Sequence, residues 1–243
     1  MSLLDFDGKV AWFCPAKNKY NLSLKSVDDI TNGDFTFISK FKVDWDALDK
    51  NSPYREGGIV NKNGKHVGLS VFKFENGDCF VKGCIWTNTG DGDDILNEIV
   101  VKINPDEDDI NSDINLAFSY NKKDNRIQLI FNNHLHEKTI KGDVIDYSNT
   151  WLWVGASNAF KSCDIAYRNY FHGEISFVSI YENYLNFNKV SKIFDSNHAV
   201  YDEYNPVCVF DFKNQTPFKI LDVSMNGNNL VKFDDEWMSI LHP

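Results

Sequence analysis

The nine residues Phe35-Thr36-Phe37-Ile38-Ser39-Lys40-Phe41-Lys42-Val43 decide the fold class. Successive side chains of a pleated strand leave on opposite faces. Phe35, Phe37, Ser39, Phe41 and Val43 therefore share one side, and Thr36, Ile38, Lys40 and Lys42 the other. One face is greasy and the other mixed, which is the pattern of a half-buried strand. Similar strand-length runs return at 58–61, 66–74, 79–86, 98–103, 114–120, 126–131, 151–154, 175–181, 207–212 and 218–221. Asn63-Gly64, Asn76-Gly77 and Asn132-Asn133 punctuate them, residues that accept the positive φ of tight hairpins. The pattern predicts an all-β antiparallel meander folded as a two-sheet jelly-roll sandwich. Helical periodicity is confined to one short segment near residues 187–195, where Val190, Ile193 and Phe194 form an apolar stripe behind Asn186 as the cap.

Composition agrees. The 243 residues include 19 Phe, 10 Tyr and 6 Trp against only 3 Met, and aromatic rings favour pleated sheets. A chain of this length can bury its core as one domain spanning 1–243, closed by C-terminal strands over 206–233. The net charge of −10, with no concentrated basic stretch, argues against nucleic acid and anionic membrane surfaces as partners. Cys14, Cys79, Cys84, Cys163 and Cys208 form an odd set without metal-ligand spacing, and read as reduced thiols. A Cys79–Cys84 disulfide across a local turn is the alternative. Asp5 and Asp7 interrupt what a signal peptide would need to keep apolar, and no window is long and apolar enough to span a bilayer. The expected setting is cytoplasmic, or within a virion or a larger protein, with the oligomeric state open.

The stretch 171–194, FHGEISFVSIYENYLNFNKVSKIF, resembles the end of a laminin-G-like or concanavalin-A-like module, in which an F-x-G-x-I-D-E-V-x-I-Y strand precedes a short helix. Upstream and in matching order, 35–43 resembles the module's long early strand. NLAFSY at 115–120 with RIQLIFNN at 126–133 resembles its central hairpin, and LWVGAS at 152–157 the strand after it. The resemblance implies a concanavalin-A-like sandwich and a carbohydrate ligand. Calcium is another implication, but Ser176 and Phe177 replace the D-E pair that often helps to hold it. The opening D-x-S-G-N-G-N segment of such modules has its counterpart near the other end of this chain, as Asp222 to Asn228.

Glucanases of this fold carry E-x-D-x-x-E on one strand, so that acid and nucleophile face the sugar together. Here Glu174 stands without a carboxylate two or four residues away, and is expected to be a solvated strand residue. His134 and His136 alternate on one face, but the comparison places Asn133-His134 in a hairpin turn, which leaves these rings in solvent. Hard oxygens for Ca²⁺ are available in Asp91-Gly92-Asp93-Asp94, within an acidic loop over 89–97, and in Asp222, Ser224 and Asn226. The aromatic residues point elsewhere. If Leu152 and Val154 face the core, Trp151 and Trp153 face outward, beside a loop carrying Asn158, Asp164, Tyr167, Arg168 and Tyr170. Rings for sugar C–H faces and polar groups for hydroxyls suit a non-catalytic, lectin-like module binding a glycan or glycosylated surface. The competing outcome is that the loop covers the indoles as a second core. Two other functions stay open: a glycoside hydrolase or polysaccharide lyase, and a structural or protein-interaction domain of a viral or cell-surface assembly.

Overall fold

A computed structural model of the chain describes residues 4–7, 11–14, 30, 33–51, 55–62, 67–103, 112–145, 152–158, 168–197, 199–215, 219–224 and 226–233. The first elements are β1 (Leu4–Asp7), β2 (Ala11–Cys14), β3 (Phe35–Val43), α1 (Trp45–Asn51), β4 (Glu56–Lys62), β5 (Val67–Lys73), β6 (Cys79–Asn88) and β7 (Asp94–Lys102). Next come β8 (Ile114–Asn121), β9 (Arg126–Phe131), β10 (His134–Thr139), β11 (Asp143–Val144), β12 (Leu152–Val154), β13 (Ala156–Asn158) and β14 (Arg168–Tyr170). The last are β15 (His172–Tyr181), α2 (Phe187–Asp195), β16 (Cys208–Gln215), β17 (Lys219–Asp222) and β18 (Leu230–Phe233).

All strand pairs are antiparallel and fall into two sheets. One runs β10-β9-β8-β3-β15, with β1 and β16 sharing the far edge of β15; the other runs β2-β12-β4-β5-β6-β7, with β11 beside the end of β6. β17 pairs with β16, and β18 pairs with both β17 and β2, so the C-terminal strands carry hydrogen bonding from one sheet into the other. The hairpin between β9 and β10 turns on Asn132 and Asn133, whose φ values of 44° and 66° are those of a tight left-handed turn. His134 is therefore the first residue of β10 and not part of the turn.

Between the sheets lies the main core, in which Phe35, Phe37 and Phe41 of β3 meet Leu69, Val71, Val81 and Ile85 of β5 and β6. Gly83 makes this packing close, because a Cβ there would run into the Phe118 ring and the Leu129 side chain. Even-numbered residues of β6 face away from the core. Cys79 and Cys84 thus lie on opposite faces of one strand, and no disulfide joins them. Burial pushes the Cys84 thiol up to about 12, which makes it unreactive.

The outer face of β3 departs from expectation. Thr36 and Ile38 are fully buried, because α2 and the segment before it lie across that face. Val190, Ile193 and Phe194 of α2 pack with Ile38, Ala117, Ile130, Phe177 and Tyr181. At nine residues α2 is too short to persist alone, and its docking supplies the stability. Asn186 caps it as expected, its side chain accepting from the Lys189 N–H. Thr36, Ser119 and Gln128 hold the preceding segment: the Leu185 N–H donates to Thr36 Oγ1 at 2.9 Å, and Gln128 Nε2 donates to the Leu185 carbonyl at 2.6 Å. The mixed face of the strand is a polar dock.

Candidate functional site

A cleft of about 530 Å³ opens at one end of the sandwich, where β3 runs into α1, β15 begins and the β5–β6 hairpin turns. Its lining includes Lys42, Asp44, Trp45, Asp46, Lys73 and Glu174. The sheet register builds it: Glu174 lies directly opposite Lys42, and Gly173 opposite Val43. Asp44 bridges the strand and α1, with its N–H donating to the His172 carbonyl at 3.0 Å and its Oδ1 accepting from the Ala47 N–H at 2.9 Å. Gly173 adopts φ +134°, and a Cβ on it would collide with the Lys42 carbonyl, so only glycine lets β15 enter the cleft this close to β3. Two ammonium groups and three carboxylates therefore share one concave surface, with the mostly buried Trp45 as its wall. Among the described residues no ion pair engages Lys42 or Glu174. Their charges stay available to a ligand.

The hairpin tip that bounds the cleft carries an aromatic cluster on its other side. Phe72 and Phe80 stack at 4.9 Å with their planes 7° apart, and Phe74 meets both edge-on at 5.3 and 5.0 Å. Phe74 is 54% exposed. Beside it Lys82 Nζ lies 2.7 Å from Glu56 Oε1 and 5.7 Å from the Phe72 ring centre, and Ser70 Oγ donates to the same carboxylate oxygen at 2.9 Å. Burial draws the Lys82 ammonium downward, but the charge and hydrogen bond of Glu56, with Glu98 behind it, outweigh this and leave Lys82 above its ordinary value.

Trp153 requires a correction. Leu152 and Val154 enter the main core and Trp153 does not, so alternation assigned its direction correctly. It is nonetheless only 3% exposed, and the expectation of an outward, accessible indole fails. Its strand is internal, paired with β2 on one side and β4 on the other. β13 and β14 form a separate two-stranded ribbon that lies against β4. Asn61, opposite Trp153, donates Nδ2 to the Ala156 carbonyl of that ribbon at 3.4 Å.

Within the ribbon Asn158 is paired with Arg168 and Ala156 with the half-buried Tyr170. The side chains of Asn158 and Arg168, and residues Trp151, Asp164 and Tyr167 altogether, lie outside what the structure describes. The structure therefore brings Asn158, Arg168 and Tyr170 to one ribbon.

Asp222, Ser224 and Asn226 do come together, as a knot between β17 and β18. Asp222 is 7% exposed. Its Oδ1 accepts from the Val209 N–H at 2.9 Å, the Ser224 N–H at 3.0 Å and Ser224 Oγ at 2.6 Å, and its Oδ2 accepts from the Asn228 N–H at 3.0 Å. Asn226 and Asn228 donate to the Val207 carbonyl at 3.0 and 2.9 Å. The carboxylate is filled by protein donors and ties the closing strands to β16.

The acidic loop is shorter than expected, since β7 begins at Asp94, whose Oδ1 accepts from Asn88 Nδ2 at 3.1 Å. Asp91 and Asp93 are exposed. His134 is exposed and His136 half-exposed on the edge strand β10; burial, then the neighbouring His134, lowers the His136 pKa. Among the described residues no group of three His, Cys, Asp or Glu side chains could hold a metal ion, and no helix is long and apolar enough to cross a membrane. Sequence reasoning missed the cleft. Only Glu174 was singled out, and its neighbours Lys42 and Asp44 come from the end of β3 and the residue after it.

Comparison with protein-family models and with curated proteins finds no match. Solved structures do match. A protein from Bacteroides ovatus, described as a candidate carbohydrate-binding protein, superposes with a TM-score of 0.60 at 14% identity, over 94% of this chain and 58% of that one. This chain thus spans little more than half the length of that neighbour. Mouse laminin α1 domains LG4-5 give a TM-score of 0.43 at 14% identity, over 72% of this chain and 40% of theirs. The Ruminococcus gnavus sialidase CBM40, bound to α2,3-sialyllactose, gives 0.46 at 11% identity, over 70% of this chain and 91% of its own. The architecture of this chain is an antiparallel two-sheet jelly-roll sandwich.

Proposed function

We propose that this chain is a non-catalytic carbohydrate-binding module that holds a saccharide of a glycan or glycosylated surface in the end cleft. One observation carries the reading: Lys42, Lys73, Asp44, Asp46 and Glu174 converge on one concave surface. Sugar hydroxyls are both donors and acceptors, so a site that offers carboxylates beside ammonium groups satisfies both halves of each hydroxyl. The near balance of charge favours a neutral or amino-bearing sugar over a strongly anionic one. The exposed Phe74, across the hairpin tip, gives a longer glycan a ring to lie against. The likeness to the Bacteroides ovatus protein supports the ligand class by analogy of fold. A calcium ion is not needed for this mode of binding.

A second reading is favoured by the same cleft, because Glu174 shares it with Asp44 and Asp46, either of which could complete the carboxylate pair of a glycoside hydrolase. A glycan array followed by solution titration separates the two. The module reading expects binding without released product, and a loss of affinity of about tenfold or more in Glu174→Gln or Lys42→Ala, the scale of a hydrogen bond to a charged group. Released reducing sugar would establish the hydrolase. Binding that survives both cleft variants and disappears in Tyr170→Ala would move the site to the ribbon, and silence across the array would overturn the carbohydrate reading.

A further inference from the structure

β7 is an edge strand: it pairs with β6 along its whole length and, among the described residues, with no other strand. The backbone direction is fixed. The Ile103 N–H donates to the Cys79 carbonyl of β6 at 2.9 Å, so odd-numbered positions bond inward and even-numbered ones point away. Lys138 Nζ reaches the outward Glu98 carbonyl at 3.5 Å, a long and exposed contact. Long exposed edges are normally guarded by charge, bulges or cover. Another edge strand, β10, is guarded in this way by Glu137 and Lys138, and Leu135 is its single exposed apolar residue. β7 instead exposes Ile95, Leu96 and Val100 at 37%, 39% and 40%.

We infer that β7 is an association surface for a second copy of this chain, pairing antiparallel with its own equivalent about a two-fold axis at Glu98, so that the outer sheets of the two copies become one. The side-chain pattern selects this register. With Glu98 at the axis, Leu96 lies opposite Val100, and Asp94 opposite Lys102, so apolar meets apolar and anion meets cation twice over. Sliding by one hydrogen-bonded step in either direction sets Leu96 against Glu98 or against Lys102. Lys102, although bonded to Asp78 at 2.8 Å, is half exposed and can reach a second carboxylate. The one unfavourable pair is Glu98 against itself at the axis, where Lys82, opposite Val100 on β6 and so diagonal to Glu98, offsets part of the repulsion.

Sedimentation of the full chain over a concentration series, together with amide exchange, tests this. The expected result is a concentration-dependent doubling of mass, with slowed exchange at the Leu96, Glu98 and Val100 amides in the dimer. Glu98→Gln removes the like-charge pair and tightens association roughly two- to fivefold. Val100→Pro removes only an outward N–H, leaves the ladder to β6 intact and yields a folded monomer. A chain that stays monomeric throughout overturns the inference. So does a dimer indifferent to Glu98→Gln whose β7 amides exchange as in the monomer, a result that stands whether or not the proline variant folds.

Discussion

Replacing Asp222 by Ala removes the acceptor for four hydrogen bonds in the knot that joins the C-terminal strands to β16. The buried Val209 and Asn228 N–H groups lose their partner, and each buried donor left unsatisfied costs about 1–3 kcal/mol. Adding the lost Ser224 contact, the expected destabilisation is about 4 kcal/mol, a large part of the ~5–15 kcal/mol that holds a domain together. For a chain of this size that corresponds to a fall in Tm of roughly 10 °C. Asp222→Asn keeps the shape but turns an N–H₂ toward one of the donors, and is expected to cost about half as much. Urea unfolding, read as a shift in midpoint at constant slope, measures both. A loss below ~1 kcal/mol in Asp222→Ala would refute the view that this carboxylate closes the sandwich.

Three further outcomes follow from the packing. Gly83→Ala drives a methyl group into Phe118 and Leu129 and should cost about 1–3 kcal/mol by denaturant titration. Trp153→Ala should cost about 3–5 kcal/mol in the same assay while leaving glycan affinity of the folded protein unchanged, since the indole is covered and away from the cleft. Calcium or EDTA should leave Tm within error of its value in buffer, because the Asp222 oxygens already hold protein donors; a calcium-dependent rise would place an ion elsewhere, among groups the knot does not use.

Much of the architecture was legible in the sequence because alternation is a local property: Phe35 to Val43, Arg126 to Phe131 and the stripe of α2 carry their own evidence. Other elements carry too little. α1 has only Trp45 and Leu48 as buried apolar positions within seven residues, less than a periodicity can reveal. β10, His-Leu-His-Glu-Lys-Thr, is exposed along nearly its whole length and so has no apolar face to read. Trp153 marks the boundary between local and tertiary information. Its direction follows from its neighbours, whereas its burial comes from packing in the folded chain that its own strand does not encode. The cleft was hidden for the same reason. Glu174 looks solitary along its own strand, and only the register with β3 reveals Lys42 opposite it.

Chemical-shift mapping of the labelled chain against a saccharide selected on the array tests the central claim most directly. The account predicts saturable shifts centred on Lys42, Asp44, Lys73 and Glu174, with the saccharide unchanged after the titration. Shifts confined to Asn158, Arg168 and Tyr170, or a saccharide recovered in cleaved form, would contradict it.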